Sequence, residues 1–127
     1  MDSDICGSSQ FQAARTKGKS FKGLDETGAV IGCCRHCVIL RGLNMFRGEI
    51  FAYPLCLLHD LMSRGWTLTF MCQDVICKFW PWLGRVLNRL PGDATLTQIA
   101  NMKPFLGVMH GKAHGWSCQV NIIYIRI

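Results

Sequence analysis

The sequence predicts an α/β domain, and three observations support this class. Short β-prone runs alternate with amphipathic stretches in the order β-β-α-β-α-β, without internal repeats. Half of the 127 residues are hydrophobic and 17% are charged, which favours a buried core over disorder. No apolar run approaches the roughly 20 residues of a membrane span, and no signal segment opens the chain. We therefore expect one small intracellular domain that is neither secreted nor membrane-bound.

The first half of the chain contains a lead-in, a pair of apolar runs and a helix. Residues 1–23 are polar and rich in Gly, Ser and Lys, which predicts a flexible basic lead-in. Two apolar runs within 28–41 are interrupted by Arg35 and His36, and they fit either a hairpin or one long kinked strand. Apolar residues at helical spacing in 49–63 predict a helix, ended by the Arg-Gly pair that follows.

The second half alternates strands and helices. β-branched and aromatic residues in 66–76 predict a strand, and an apolar face in 78–90 predicts a helix that Pro-Gly terminates. Residues 95–101 predict a helical turn, and 105–109 a buried strand. Residues 118–127 form a β-rich tail.

The end of this tail is atypical. Residues 120–127 are β-prone and nearly uncharged, so they have little protection against edge-to-edge pairing and need to be covered. A true final strand, a truncated gene model and a change of reading frame each account for this segment.

One carboxylate follows the apolar run in 70–76 in an informative position. Asp74 is expected at or near the end of the strand, where burial beside apolar residues is costly unless the carboxylate has partners. A divalent metal is the functional partner of such a group, and capping of the next helix is the structural alternative.

Eight cysteines without a signal segment indicate reduced thiols or metal ligands. His110, His114 and Cys118 are spaced at i, i+4 and i+8, and Cys34 with His36 would complete a tetrahedral zinc site. The alternative is a pair of surface histidines near an incidental thiol.

Two further groups have both a functional and a structural interpretation. Asp25 and Glu26 are adjacent acids that would hold a metal, or else hydrogen-bond in the turn that they precede. Four cations of the lead-in suit phosphate contacts, although a solvated tail is the alternative, and the net charge of +6 likewise suits a polyanion. These cations are Arg15, Lys17, Lys19 and Lys22.

Five segments, taken in order and spacing, carry a specific resemblance. They are residues 24–28, 34–36, 43–54, 74–83 and 102–118. Together they resemble the Kyakuja-Dileera-Zisupton transposases, and the Zisupton branch is the most similar in the sequence of these motifs. The similarity extends from about Cys6 to Gln119 and so covers most of the chain.

The resemblance implies a ribonuclease-H-like core that cleaves and joins DNA with an acidic triad and two Mg²⁺ ions. The hairpin at 28–41 would be the second and third strands, 66–76 the fourth and 105–109 the fifth. Asp74 matches the Asp-x-x-Cys-Lys motif of the family, which implies that it is the second catalytic carboxylate. The resemblance also implies DNA as partner and a nuclear location.

The chain departs from the family pattern at both ends. The first catalytic Asp of the family precedes the Cys6 region, and the final Glu follows the motif at Gln119; neither has a counterpart here. We therefore expect an incomplete ribonuclease-H-like fold, a mixed sheet with flanking helices that lacks its first strand. The expected segments are the lead-in 1–23, a partial core 24–119 and the tail 120–127.

The expected function is that of a fragment or remnant of a DNA transposase catalytic domain that does not cleave DNA alone. The alternative is a small zinc-binding nuclear interaction module derived from a transposase. An active nuclease is disfavoured because two-metal chemistry needs several converging carboxylates. The sequence leaves the oligomeric state open.

Overall fold

The computed structural model describes residues 25–111 and the strand at 124–125. In this part of the chain, strands and helices alternate, which confirms the predicted mixed α/β class. In chain order they are β1 (Gly28–Cys33), β2 (Ile39–Met45), α1 (Ala52–Ser63), β3 (Phe70–Cys72), α2 (Ile76–Arg89), α3 (Ala94–Ala100), β4 (Lys103–Gly107), α4 (Val108–Gly111) and β5 (Tyr124–Ile125).

The chain forms two compact units. The described residues of the first are 25–67, here called the hairpin unit. Those of the second are 68–111 and 124–125, here called the parallel-sheet unit. The predicted division into lead-in, partial core and tail stays a prediction.

In the hairpin unit, β1 and β2 form an antiparallel pair, so the hairpin alternative is correct. Their register extends from Gly28 opposite Met45 to Cys33 opposite Ile39, with an irregularity just before Cys33. The inner face of the pair packs against α1, where apolar residues at helical spacing are buried. Besides Pro54, the buried apolar side chains among the described residues of this unit are Met45, Phe51, Leu57, Leu58, Leu61 and Met62.

A glycine allows the close approach of hairpin and helix. A Cβ atom on Gly32 would lie 2.7 Å from Cδ2 of Leu57, closer than ordinary van der Waals contact. Pro54 is tolerated because it lies in the first turn of α1, where backbone N–H groups have no partner within the helix. Helix α1 ends as predicted at Arg64, and Gly65 follows with a φ of +89°.

In the parallel-sheet unit, β4 lies between β3 and β5 and is parallel to both. The predicted strand 66–76 is much too long, because only Phe70–Cys72 pairs with β4. The predicted strand 105–109 begins two residues earlier, at Lys103, and ends at Gly107. Of the predicted tail strand, the structure describes only Tyr124–Ile125, and the rest lies outside the described residues.

The helices of this unit contribute most of its core. Helix α2 begins two residues earlier than predicted, and the predicted helical turn is the short helix α3. The Asp93 side chain caps α3 by accepting a hydrogen bond of 2.9 Å from the backbone N–H of Leu96. The fully buried side chains are Ile76, Phe79, Leu83, Ile99 and Leu106. Of the helices that the structure describes, none has the length and apolar character to cross a membrane.

Candidate functional site at the end of strand β3

Asp74 lies where the sequence predicts, just beyond the end of a strand. Strand β3 ends at Cys72, and α2 begins at Ile76 after the N-cap residue Val75. Because β3 and β4 are parallel, both present their carboxyl ends at the edge of the sheet near which Asp74 lies. The carboxyl edge of parallel strands is where α/β proteins commonly bind ligands.

The Asp74 carboxylate is exposed, and it does not cap α2 in the usual way. Its Oδ1 accepts a hydrogen bond of 2.9 Å from the backbone N–H of Val75, the N-cap residue itself. A capping side chain normally occupies the N-cap position and bonds the second or third helical N–H group. The N-cap of α2 makes no side-chain capping bond. The carboxylate is therefore fixed locally while it stays accessible to a cation.

Two thiols flank this carboxylate, and both are held neutral. Cys72 is exposed as a residue, but partial burial of its thiol raises the pKa. A hydrogen bond with the Gly107 backbone opposes this increase, and the negative charge of Asp74 adds to it. Burial also raises the pKa of Cys77, against the opposing charge of Lys78, and Asp74 again adds to the increase. Because the thiolate is the metal-binding form of cysteine, the neighbourhood offers a metal one hard carboxylate ligand.

No larger group of ligands accompanies Asp74 in the described ranges. Within residues 25–111 and 124–125, no three His, Cys, Asp or Glu side chains are placed so that they could hold a metal ion. A two-metal centre of the expected type needs several converging carboxylates. The arrangement thus supplies one anionic ligand at a sheet edge.

The acidic pair of the hairpin unit takes part in local hydrogen bonding. Glu26 Oε1 accepts a bond of 2.7 Å from Nδ2 of Asn44, across the open end of the hairpin. Beside it, Thr27 Oγ1 donates to the Met45 carbonyl at 3.0 Å. Asp25 is exposed. These contacts favour the hydrogen-bonding interpretation of Glu26 over the metal-binding one.

The turn of the hairpin brings together two of the five predicted zinc ligands. Cys34 Sγ lies 4.0 Å from Nδ1 of His36, and Arg35 Nε donates to His36 Nε2 at 3.3 Å. Tetrahedral zinc with ordinary bond lengths separates sulfur and nitrogen by about 3.5 Å, so this pair is near the spacing of two ligands. The side chain of His110, together with His114 and Cys118, lies outside the described residues.

The turn itself has a specific backbone conformation. Cys37 N donates to the Cys34 carbonyl at 2.9 Å, and Cys34 N donates to Val38 O at 3.0 Å. Cys37 has a φ of +61°, in the left-handed region that non-glycine residues rarely adopt. These bonds hold the Cys34–His36 pair on a tight connection between two paired strands.

The sequence interpretation did not single out one group of exposed charges. Helix α2 exposes Lys78, Arg85 and Arg89, whose spacing of seven and four residues is visible in the sequence. The four lead-in cations expected to contact phosphate are Arg15, Lys17, Lys19 and Lys22. All four lie outside the described residues.

By its fold and site, the chain is a mixed α/β protein with an exposed carboxylate at the carboxyl edge of a parallel sheet. Comparison with known protein families matches residues 2–124 to the Kyakuja-Dileera-Zisupton transposase. Because this match spans nearly the whole chain, the chain belongs to the Kyakuja-Dileera-Zisupton transposase family. Searches of curated proteins and of solved structures give no match.

Proposed function

We propose that this chain is part of a DNA transposase catalytic domain of the Zisupton-like branch, with Asp74 as a metal-binding catalytic carboxylate. The observation that carries this proposal is the exposed Asp74 directly after β3, within the segment that resembles the Asp-x-x-Cys-Lys motif of the family. Membership of the family supports the reaction class.

The proposed core is an incomplete ribonuclease-H-like fold, in which residues 25–111 contain no counterpart of the first strand. The order of elements supports it: an antiparallel hairpin, a helix, a strand followed by the carboxylate, and then a parallel strand. In this assignment β1 and β2 are the second and third strands of the fold, β3 the fourth and β4 the fifth. The segments 1–23, 24–119 and 120–127 keep their proposed roles as lead-in, partial core and tail.

Asp74 suits a hard divalent cation such as Mg²⁺. Carboxylate oxygens are preferred ligands of Mg²⁺, and the neutral thiols of Cys72 and Cys77 do not compete for it. When bound, paired Mg²⁺ ions activate the attacking oxygen and stabilise the leaving oxygen in phosphoryl transfer. One carboxylate does not hold such a pair, so this chain alone is proposed to be inactive.

Manganese binding tests the role of Asp74 directly. We expect weak binding of Mn²⁺ by the 1–127 chain, measured by its effect on water-proton relaxation. The Asp74→Asn variant should lose this binding, whereas Glu49→Gln, which removes another exposed acid, should keep it. Equal binding by wild type and Asp74→Asn would overturn the assignment of Asp74.

A nicking assay tests the proposed inactivity. The 1–127 chain is incubated with transposon-end DNA and Mg²⁺ or Mn²⁺, in parallel with Asp74→Ala, and no nicking is expected. Metal-dependent nicking that disappears in Asp74→Ala would contradict the proposal and mean that acids such as Asp25 or Glu26 supply the other ligands. Nicking that survives the substitution indicates a contaminating nuclease, and the assay is then repeated on repurified protein.

DNA is the proposed partner and the nucleus the proposed location, both on the basis of the family. The basic lead-in would add salt-sensitive contacts with phosphate, because each contact releases condensed counterions from the DNA.

A second candidate function is favoured by the proximity of Cys34 and His36. Their separation of 4.0 Å suits half of a zinc site in a small interaction module, completed by His110, His114 and Cys118. Purified protein would then contain near-stoichiometric zinc and lose its circular dichroism with a chelator, since metal binding contributes to folding. Metal-free protein with an unchanged spectrum would exclude this function.

A further inference from the structure

Helix α2 carries a line of exposed positive charges. Lys78, Arg85 and Arg89 are separated by seven and four residues. At about 100° of rotation per residue, these intervals place all three within roughly 40° of one another around the helix. Each of the three residues is exposed. They form the α2 basic face, a single surface of one helix.

Within residues 25–111 and 124–125, no acid of its own helix and no salt bridge neutralises this basic face. The sequence of α2 contains no acidic residue. Among the described residues, the salt bridges join Arg41 and Arg64 to Asp60 in the hairpin unit, and none involves the α2 basic face. Three exposed cations aligned on a helix that carries no acidic residue favour a polyanionic partner.

The dimensions of the α2 basic face fit a phosphate backbone. Eleven residues separate Lys78 from Arg89, which corresponds to about 16 Å along the helix axis. Measured along the duplex axis, one strand of B-form DNA has roughly five phosphates in this length. Arginine guanidinium groups bind phosphate oxygens in a bidentate geometry, and lysine contributes a mobile point charge.

The α2 basic face also begins next to the candidate catalytic residue. Lys78 is in the first turn of α2, four residues after Asp74, and the other two cations continue toward the end of the helix. A DNA strand with one phosphate at Asp74 would therefore have neighbouring phosphates within reach of α2.

We infer that the α2 basic face binds the phosphate backbone of DNA and positions the strand at Asp74. This inference rests on the proposed function, because it takes DNA as the substrate. Lys78, Arg85 and Arg89 act here as positioning residues, and their contacts are independent of base sequence.

The test measures binding of a short, fluorescent, mixed-sequence DNA duplex to the full 1–127 chain without metal. The variant Lys78→Gln/Arg85→Gln is compared with Arg47→Gln/Lys103→Gln, which removes one exposed lysine and one exposed arginine elsewhere. Losing two phosphate contacts should reduce the slope of log affinity against log salt by about 2. We expect about a tenfold loss of affinity in the first variant and less than about a threefold loss in the control.

Equal losses in the two variants would mean that only net charge matters, which overturns the inference but leaves the proposed function intact. Equal binding of poly-glutamate and DNA, with the same dependence on α2, would also overturn it, in favour of an acidic protein partner. If the wild type does not bind DNA at all, both the inference and the DNA partner fail. The manganese experiment then still decides the role of Asp74 separately. Circular dichroism of each variant verifies that the helices are intact.

Discussion

The two units differ in whether their charged side chains form ion pairs and in how deeply their apolar side chains are buried. In the hairpin unit, charged side chains near the helix are paired: Asp60 binds both Arg41, at 2.9 Å, and Arg64, at 3.1 Å. In the parallel-sheet unit, Asp74 and the α2 basic face are exposed, yet the five largest fully buried side chains all lie in this unit. The unit that carries the candidate site thus combines a fully buried apolar core with exposed charges on its surface.

This difference separates residues that maintain the fold from residues available for function. Charges that are paired within a unit mainly stabilise its geometry, whereas exposed charges on a well-packed support can meet a partner. A rigid apolar core beneath the site matters because catalytic and binding groups need fixed positions.

The largest effect is expected from a substitution in the core of the parallel-sheet unit. Leu106 in β4 is 0% exposed, so Leu106→Ala should lower the free energy of unfolding by about 3 kcal/mol through lost burial and a cavity. Leu90→Ala is the control, since Leu90 is 56% exposed and its truncation should change the free energy by less than about 0.5 kcal/mol. Urea unfolding followed by circular dichroism measures both. Similar values for the two variants would contradict the contrast between a buried apolar core and an exposed surface.

The next effect concerns the packing of the hairpin on α1. In Gly32→Ala, the new methyl group would lie 2.7 Å from Cδ2 of Leu57, so we expect destabilisation by about 1–2 kcal/mol. Gly42→Ala is the matched control in the partner strand, because its nearest neighbour would be the Val30 carbonyl oxygen at 3.9 Å. Thermal unfolding compares the two. A stable Gly32→Ala protein would mean that the Leu57 side chain moves aside at little cost.

The local sequence pattern predicted some elements well because local physics determines them. The hairpin, the end of α1 at Arg64-Gly65 and the position of Asp74 follow from turn residues, glycine and short apolar runs. The length of β3 was wrong for a non-local reason: Thr67 and Thr69 favour extended backbone, but a ladder also needs a partner strand. Of the predicted strand 66–76, only Phe70–Cys72 has partner residues in β4.

The candidate site was predictable to the same limited extent. The strand-end carboxylate was expected, but the raised pKa of its two neighbouring thiols depends mainly on burial, which only the folded structure shows. In the sequence, Cys56, Cys72 and Cys77 lie among apolar residues, a pattern that predicts packed thiols, yet of these three residues only Cys77 is buried. The α2 basic face was visible as spacing, but charges on a helix are solvated by default, so spacing alone did not single it out.

A smaller effect is expected from the paired charges of the hairpin unit. Asp60→Asn removes the carboxylate that Arg41 and Arg64 share, and we expect a loss of about 1 kcal/mol because the side chains are partly exposed. Raising the salt concentration should reduce the difference from wild type, since ions screen exposed pairs. Asp25→Asn, at an exposed acid, is the control. A salt-independent loss would show that Asp60 acts through packing instead of charge.

The smallest effect is a dependence of stability on alkaline pH through Cys72 and Cys77. In the folded protein the pKa of both thiols is raised above the ordinary 9.0, so the folded state retains these protons more strongly than the unfolded state. This contribution to stability is fully present below the ordinary pKa and is lost as the pH rises through the higher folded-state values. Because Asp74 contributes to both increases, Asp74→Asn should weaken the alkaline loss, whereas Glu49→Gln should leave it unchanged. The measurement is the unfolding midpoint under reducing conditions, from neutral pH to beyond 9.0. Identical pH profiles for wild type and Asp74→Asn would show that Asp74 does not contribute to the raised pKa of the two thiols.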